Sequence, residues 1–138
     1  MRTRNNGFTL IELMVVVIII GVLGAIIIPR YINRTKQVQI EATKISISSI
    51  NMALKMYDID NKTFPTTEEG LKALVEKPSS VGENWMGPYV EQELIDPWGH
   101  PYQYRCPSQN NHPDFDIWSW GPDGKDGTDD DIVNWKKK

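Results

Sequence analysis

Five aspartates lie within nine residues near the carboxyl end of the chain, between Asp123 and Asp131. Carboxylates on a glycine-containing loop suit calcium, which takes about 6–8 oxygen ligands from carboxylates and backbone carbonyls. Gly121, Gly124 and Gly127 allow the backbone to fold back so that separated carboxylates converge. The spacing fails the EF-hand pattern from either of the first two aspartates. The residues alone therefore leave two interpretations open, a calcium site and an acidic loop that faces solvent.

Glu12 is the only charged residue in the apolar run from Gly7 to Ile28. A carboxylate near the centre of a bilayer costs at least about 2.5 kcal/mol, so its presence needs a physical reason. One reason is local, because Glu12 lies in the first turn of a helix and forms a capping box with Thr9. The other is assembly, because a cut after Gly7 creates an α-amine on Phe8 that can neutralise Glu12 of a neighbouring chain.

Residues 8–28 are long enough and apolar enough to cross a bilayer as a helix. A secretory signal peptide has a shorter apolar region, of about 7–15 residues, followed by a small-residue cleavage site. Here Pro29 and Arg30 follow the run instead, and a polar leader with Arg2 and Arg4 precedes it. A cut between leader and run leaves the whole helix on the protein. Basic residues flank the helix on both sides, so charge does not decide its orientation.

The sequence Gly7-Phe8-Thr9-Leu10-Ile11-Glu12, followed by the apolar run, resembles the class III signal of type IV pilins and type II secretion pseudopilins. The resemblance implies cleavage between Gly7 and Phe8 by a membrane prepilin peptidase, which also N-methylates Phe8. It further implies that the protein leaves the bacterial inner membrane to enter a helical filament, with its C-terminal part in the periplasm. Glu12 would set the stagger between subunits.

The helix is expected to continue beyond Pro29 to about residue 58, with Pro29 able to kink it. Apolar residues recur at helical spacing among polar ones, at Val38, Ile45, Ile47, Ile50, Ala53, Leu54 and Tyr57. This outer half is amphipathic, so residues 61–138 must cover its apolar stripe. The predicted organisation is a leader (1–7), a membrane helix (8–28), its amphipathic continuation (29–60) and a globular region (61–138).

The globular region shows signals for one short helix and three strands. Thr66 and Glu69 form a second capping-box pattern, which predicts a helix over 68–76 that ends before Pro78. The stretch from Pro78 to Pro101 is typical of a loop. Aromatic and β-branched residues predict strands over 102–105, 116–120 and 132–135. We therefore expect an α+β protein of the type IV pilin-like fold, with a small antiparallel sheet packed on the long helix.

Three further segments resemble the major pseudopilins of type II secretion. They are Tyr57-x-x-Asp60-x-x-x-Phe64-Pro65-Thr66-Thr67-x-Glu69-Gly70-Leu71, Trp85-x-Gly87-Pro88-Tyr89 and Asp96-Pro97-Trp98-Gly99-His100-Pro101-Tyr102. Cys106 is the only cysteine, so the disulfide loop usual in type IVa pilins cannot form. The resemblance implies a structural calcium in the C-terminal loop. Side chains of Asp123, Asp130 and Asp131 and backbone carbonyls of Trp120 and Thr128 would bind it, and Asp126 and Asp129 would face solvent.

The functional hypothesis that follows is a structural subunit that polymerises into a periplasmic pseudopilus and drives export of folded proteins. Its expected partners are further copies of itself, the prepilin peptidase, minor pseudopilins and the inner-membrane assembly platform. The alternatives are a type IV pilin or minor pilin-like subunit of a surface filament and, least favoured, a membrane-tethered hydrolase using Asp114, Asp116 or His112. The chain has 15 basic and 18 acidic residues, and removing Arg2, Arg4 and Glu12 leaves 13 basic and 17 acidic residues for 29–138. This acidic balance indicates no nucleic-acid-binding surface.

Overall fold

The computed structural model describes residues 7–91 and 94–137, with the backbone alone for 28–33. The leader residues 1–6, including Arg2 and Arg4, lie outside the described part. The chain divides into two compact units, Met1–Gln37 and Val38–Lys138. Helix α1, Leu10–Asn61, begins in the first and ends in the second.

Helix α1 starts two residues later and ends three residues later than the predicted span of 8–58. At its start, the backbone N–H of Glu12 donates to the Thr9 hydroxyl at 3.3 Å, which satisfies one of the free N–H groups of the first turn. At its end, the side-chain amide of Asn61 donates to the Tyr57 carbonyl. The helix stops there because Lys62 adopts a left-handed φ of 62°.

One face of α1 forms the core of the second unit. Ile50, Leu54 and Tyr57 follow at helical spacing, and Leu54 and Tyr57 are completely buried. The sheet and the segment before it supply the opposite side of the core, with Leu74, Phe115 and Ile117 also completely buried. The predicted cover of the amphipathic stripe by residues after 61 is therefore confirmed from Ile47 to Tyr57. It is wrong for Val38 and Ile45, which lie on the opposite face of α1 and are 61% and 67% exposed.

A 3-10 helix, Gly70–Leu74, occupies the place of the predicted helix over 68–76. The predicted capping box is present, because Glu69 N donates to the Thr66 hydroxyl at 3.2 Å and Thr66 N donates to the Glu69 carboxylate at 2.8 Å. Gly70 has a φ of +59°, which interrupts α-helical geometry between the box and the following turn. The segment is therefore shorter and more tightly wound than the capping pattern predicts.

The three strands of the predicted antiparallel sheet are β1, Gln103–Arg105, β2, Asp116–Ser119, and β3, Ile132–Val133. They lie in the order β1-β2-β3. Tyr104 pairs with Ile117, and Ser119 pairs with Ile132. The last two strands end earlier than predicted. Strand β3 stops at Val133 because the side-chain oxygen of Asn134 accepts from Ile117 N at 3.0 Å.

Strand β2 begins with Asp116, a fully buried carboxylate. Arg105 on β1 donates to it through Nη2 at 2.8 Å, and the Ser108 hydroxyl donates at 2.6 Å. Gln109 N and the Asn110 side-chain amide donate to it as well. Burial raises the pKa of Asp116, but the hydrogen bonds from Ser108 and Gln109 N and the charge of Arg105 outweigh burial, so the net pKa is lowered.

We expect Asp116→Asn to lower the free energy of unfolding at neutral pH by about 1–3 kcal/mol, because Arg105 loses its charged partner. A lowered folded-state pKa contributes stability above the unfolded-state value of about 3.9 and loses it as pH falls through the folded-state value. The gap between the wild type and the variant should therefore narrow from pH 7 to pH 3. Urea unfolding of the full-length protein in detergent at the two pH values measures this gap, and an unchanged gap would contradict the prediction.

Candidate metal-binding loop and membrane helix

The acidic loop begins directly after strand β2 with a second 3-10 helix, Gly121–Asp123. Gly121 has a φ of +67°, and a Cβ atom there would overlap the carbonyl oxygen of Asp130. The two ends of the loop therefore touch at a position that admits only glycine. Gly124, with a φ of +66°, ends this 3-10 helix in the left-handed conformation. The predicted role of these glycines in turning the chain back on itself is confirmed.

The hydroxyl of Thr128 is the point on which three carboxylates of the loop converge. Its Oγ1 lies 2.5 Å from Asp130 Oδ1, 3.3 Å from Asp123 Oδ1 and 3.4 Å from Asp131 Oδ1. A hydroxyl carries one proton and can donate to only one of these oxygens. Three carboxylates thus share a donor that serves one of them.

Backbone N–H groups donate to all three of these carboxylates, and Lys125 N donates to Asp123 Oδ1 itself at 2.9 Å. Asp123 N donates to Asp130 Oδ2 at 3.1 Å, and Gly127 N donates to Asp131 Oδ2 at 2.8 Å. The hydrogen bond from Thr128 is the main cause of the lowered pKa of Asp130. Asp130 is therefore ionised at neutral pH, and the loop concentrates negative charge around Thr128.

The structure thus brings the side chains of Asp123, Asp130 and Asp131 together, the three that the resemblance implied as ligands. In the part of the chain that the structure describes, no group of three or more His, Cys, Asp or Glu side chains is arranged to enclose a metal ion. The carboxylates are directed at Thr128 and at backbone N–H groups instead. Trp120 directly precedes the 3-10 helix as its N-cap, and the Thr128 carbonyl accepts from Asp131 N at 3.3 Å.

The other two aspartates of the loop have different surroundings. Asp126 Oδ1 accepts from the indole N–H of Trp118 at 2.8 Å, so it connects the loop to strand β2. The side chain of Asp129 is exposed, and its backbone carbonyl accepts from Lys137 Nζ at 2.7 Å. Neither carboxylate takes part in the hydrogen bonds around Thr128.

A second buried carboxylate, Asp96, supports the start of the acidic loop. Its Oδ1 accepts from the backbone N–H groups of Trp98 and His100, and its Oδ2 accepts from the Ser119 hydroxyl at 2.6 Å. Ser119 in turn accepts from Gly121 N at 3.1 Å. The Asp96-Pro97-Trp98-Gly99 sequence is typical of an Asx turn. This pattern could have predicted the structural role of Asp96, which the sequence analysis did not assign.

In the first unit, the segment Leu10–Ile27 is long and apolar enough to cross a membrane. None of its 18 residues is buried within the protein. Glu12 lies in its first turn, and Phe8, just before the helix, is 77% exposed. The segment Leu10–Ile27 therefore presents an apolar surface with one carboxylate near its start.

The residues considered for hydrolysis are engaged in structural contacts. Asp116 is fully buried and accepts hydrogen bonds from Arg105 and Ser108. The His112 ring packs against Phe115 at a centroid distance of 5.5 Å, and its Nδ1 lies 3.5 Å from Asp114 N. Asp114 contributes its backbone carbonyl, which lies 3.8 Å from the thiol sulfur of the partly buried Cys106.

Two known protein families match consecutive parts of this chain. Residues 2–28 match the family model described as the prokaryotic N-terminal methylation motif, and so place the chain in the class of proteins with that motif. Residues 30–135 match the model described as type II secretion system (T2SS), protein G. The chain belongs to the type II secretion system protein G family.

Individual relatives agree with this assignment over nearly the full length. The chain is 44% identical to the type II secretion system core protein G of Pseudomonas aeruginosa, over 97% of both chains. It is 39% identical to the protein of that name from Escherichia coli K12, over 98% of this chain and 96% of the relative. It is similar to the crystal structure of the major pseudopilin from the type 2 secretion system of enterohaemorrhagic Escherichia coli, with a TM-score of 0.66 and 37% identity. That similarity covers 75% of this chain and 92% of the other, and it confirms the pilin-like fold.

Proposed function

We propose that this protein is the major pseudopilin of a type II secretion system, a structural subunit that polymerises into a periplasmic filament and drives the export of folded proteins. The observation that carries the proposal is the match of both segments of the chain, the methylation motif over 2–28 and protein G over 30–135. A pilin of a surface filament shares the first segment, but the second favours the pseudopilin.

Self-association has physical support in both units. The segment Leu10–Ile27 exposes its whole apolar surface, which in the membrane contacts lipid and in a filament would contact the same segment of other subunits. In the second unit, α1 carries an exposed apolar stripe opposite its buried face. The stripe consists of Val38, Ile45, Met52, Met56 and Ile59, each at least 56% exposed. Its seven-residue repeat is typical of helix faces that pack on other helices.

Processing at the N-terminus is the second part of the proposal. Cleavage after Gly7 would leave Phe8 as the first residue, two positions before α1 begins at Leu10. A prepilin peptidase would cut there and N-methylate the new amine, which stays cationic. That amine, on one subunit, would neutralise Glu12 on the next as the helices leave the membrane.

Calcium binding by the acidic loop is the third part. The convergence of Asp123, Asp130 and Asp131 on one hydroxyl supports it, because a divalent cation offsets charge that one proton leaves unpaired. Calcium would supply folding energy by binding only the folded loop. The side chains of these three aspartates would bind it, together with carbonyls of Trp120 and Thr128.

The remaining parts concern location and partners. We place the protein in the bacterial inner membrane through residues 8–28, with the globular region in the periplasm. Minor pseudopilins and the inner-membrane assembly platform would start and extend the filament. The role is structural, and no enzymatic step is assigned to the chain.

Deleting the gene in its own host tests the proposed function. Loss of a major pseudopilin should leave folded exoproteins in the periplasm, and a plasmid copy should restore their release. Periplasmic and released fractions of an endogenous exoprotein, compared by quantitative immunoblot, measure the effect. Normal release together with missing surface fibres would overturn the proposal in favour of the pilin alternative.

A further inference from the structure

A cleft of about 520 Å³ opens between the loop that follows strand β1 and the carboxyl-terminal segment. Its lining consists of Gln109, Asn110, Asn111, Trp135, Lys136 and Lys137. None of these residues belongs to the acidic loop or to helix α1. The volume lies within the range of small-molecule sites, about 300–1,000 Å³.

The first wall of the cleft is fixed by a buried group. Asp116, fully buried, accepts from Gln109 N at 2.9 Å and from the Asn110 side-chain amide at 3.1 Å. The Ser108 hydroxyl accepts from Asn110 N at 3.2 Å and so fixes the same turn. Asn111 follows with a φ of 61°, a conformation that asparagine tolerates better than most residues. This wall is lined by three side-chain amides on a turn whose backbone is held from inside, and the nitrogen of one of them, Asn110, already donates to Asp116.

The second wall is held by aromatic packing. The Trp135 ring meets Trp118 edge to face, with centroids 5.9 Å apart and an interplanar angle of 70°. Trp118 is itself held, because Arg105 stacks over its ring at 5.3 Å and its indole N–H donates to Asp126. Trp135 stays partly exposed. Lys137 is positioned by its hydrogen bond to the Asp129 carbonyl.

The lining combines three kinds of group that recognise one class of ligand. Amides both donate and accept hydrogen bonds, as hydroxyl and acetamido groups require. An indole gives a flat apolar surface for the C–H face of a sugar ring. Two ammonium groups and the absence of a carboxylate among the six lining residues favour an anion. We propose that this cleft binds an N-acetylated saccharide that carries a carboxylate.

The second wall contacts the acidic loop through Lys137 and Trp118, but none of the six lining residues lies on that loop or on α1, so the proposal does not depend on filament formation. Its test uses the full-length protein in detergent and a soluble disaccharide of N-acetylglucosamine and N-acetylmuramic acid as the probe. Titration followed by NMR should shift the Trp135 indole resonance and the side-chain amides of Asn110 and Asn111. Trp135→Ala should weaken binding at least about tenfold, the loss that one aromatic contact of about 1.4 kcal/mol represents.

Two variants keep the test independent of folding. Asn111→Gly removes an amide and retains the left-handed backbone, and Lys136→Gln removes an exposed charge; each should weaken binding several-fold. Lys55→Gln, an exposed lysine on α1, is the matched control and should bind as the wild type does. The neutral disaccharide of N-acetylglucosamine should bind more weakly than the charged probe. Equal binding of the two sugars, wild-type affinity in all cleft variants, or no shift at about 10 mM probe would overturn the proposal.

Discussion

Calcium is expected to raise the unfolding temperature of the full-length protein in detergent, and a chelator is expected to reverse the rise. At a concentration about 100-fold above Kd, a ligand of the folded state adds about 2.7 kcal/mol. In a domain of about 100 residues that corresponds to a rise of about 10–20 °C. The physical reason is the crowding of Asp123, Asp130 and Asp131 around one hydroxyl. Thermal unfolding followed by circular dichroism, with calcium and then with chelator, measures the shift.

Asp123→Asn gives a sharper test, because its effect on the unfolding temperature should change sign between chelator and calcium. With chelator, the variant removes one of several repelling charges and should be at least as stable as the wild type. With calcium, it lacks a ligand and should be clearly less stable than the wild type. Asp129→Asn is the matched control, since the Asp129 side chain is exposed and lies outside the cluster around Thr128. A calcium shift that Asp123→Asn leaves intact would contradict the proposed ligand set.

Glu12→Ala is expected to abolish filament assembly and to leave the fold of the globular region unchanged. The substituted position lies on an exposed helix in the first unit, so no core contact is lost. In a filament, however, the cationic amine of Phe8 would be left without its partner in an apolar environment. An unpaired buried charge costs about 3–5 kcal/mol, which weakens each subunit addition more than about 100-fold. Sheared or sedimented filaments from cells expressing each variant measure the effect.

Two controls separate assembly from processing and folding. Intact-mass spectrometry should show that wild type and Glu12→Ala are both cleaved after Gly7. Glu76→Ala removes a carboxylate from the globular region, away from α1, where it forms an exposed pair with Lys72 at 3.0 Å, and should assemble normally. Filaments of Glu12→Ala at wild-type yield would contradict the proposed neutralisation.

The long helix and the sheet were predictable because each has a strong local signal. Apolar spacing identified α1, and aromatic or β-branched runs identified all three strands. The ends of the helices and strands were predicted less accurately because they depend on contacts between residues that are far apart in the sequence. Asn134 ends β3 by bonding to Ile117 N, and Gly70 turns the predicted helix into a 3-10 segment. Such contacts exist only once the core has brought the segments together.

The candidate loop was predictable as a cluster, but its support was not. Glycines and aspartates in one short stretch indicate a folded-back acidic loop. Asp96 supports this loop and Asp116 holds the turn after β1, and nothing in the spacing of either aspartate predicts its burial. An aspartate within a strand is itself unusual, and this was the available signal for Asp116. Its partners Arg105 and Ser108 are adjacent only because β1 pairs with β2.

Helix α1 in the second unit has a buried face and an exposed apolar stripe. Selection for the stability of the subunit acts on the buried face, and selection for packing between subunits acts on the exposed stripe. Changes at Leu54 or Tyr57 act on stability within one subunit, whereas changes at Ile45 or Met52 leave its core untouched. Residues on the two faces can therefore diverge independently. Substitutions on the exposed stripe can therefore change how subunits pack together without changing the fold of each subunit, provided that the helical spacing between the two sets of positions is kept.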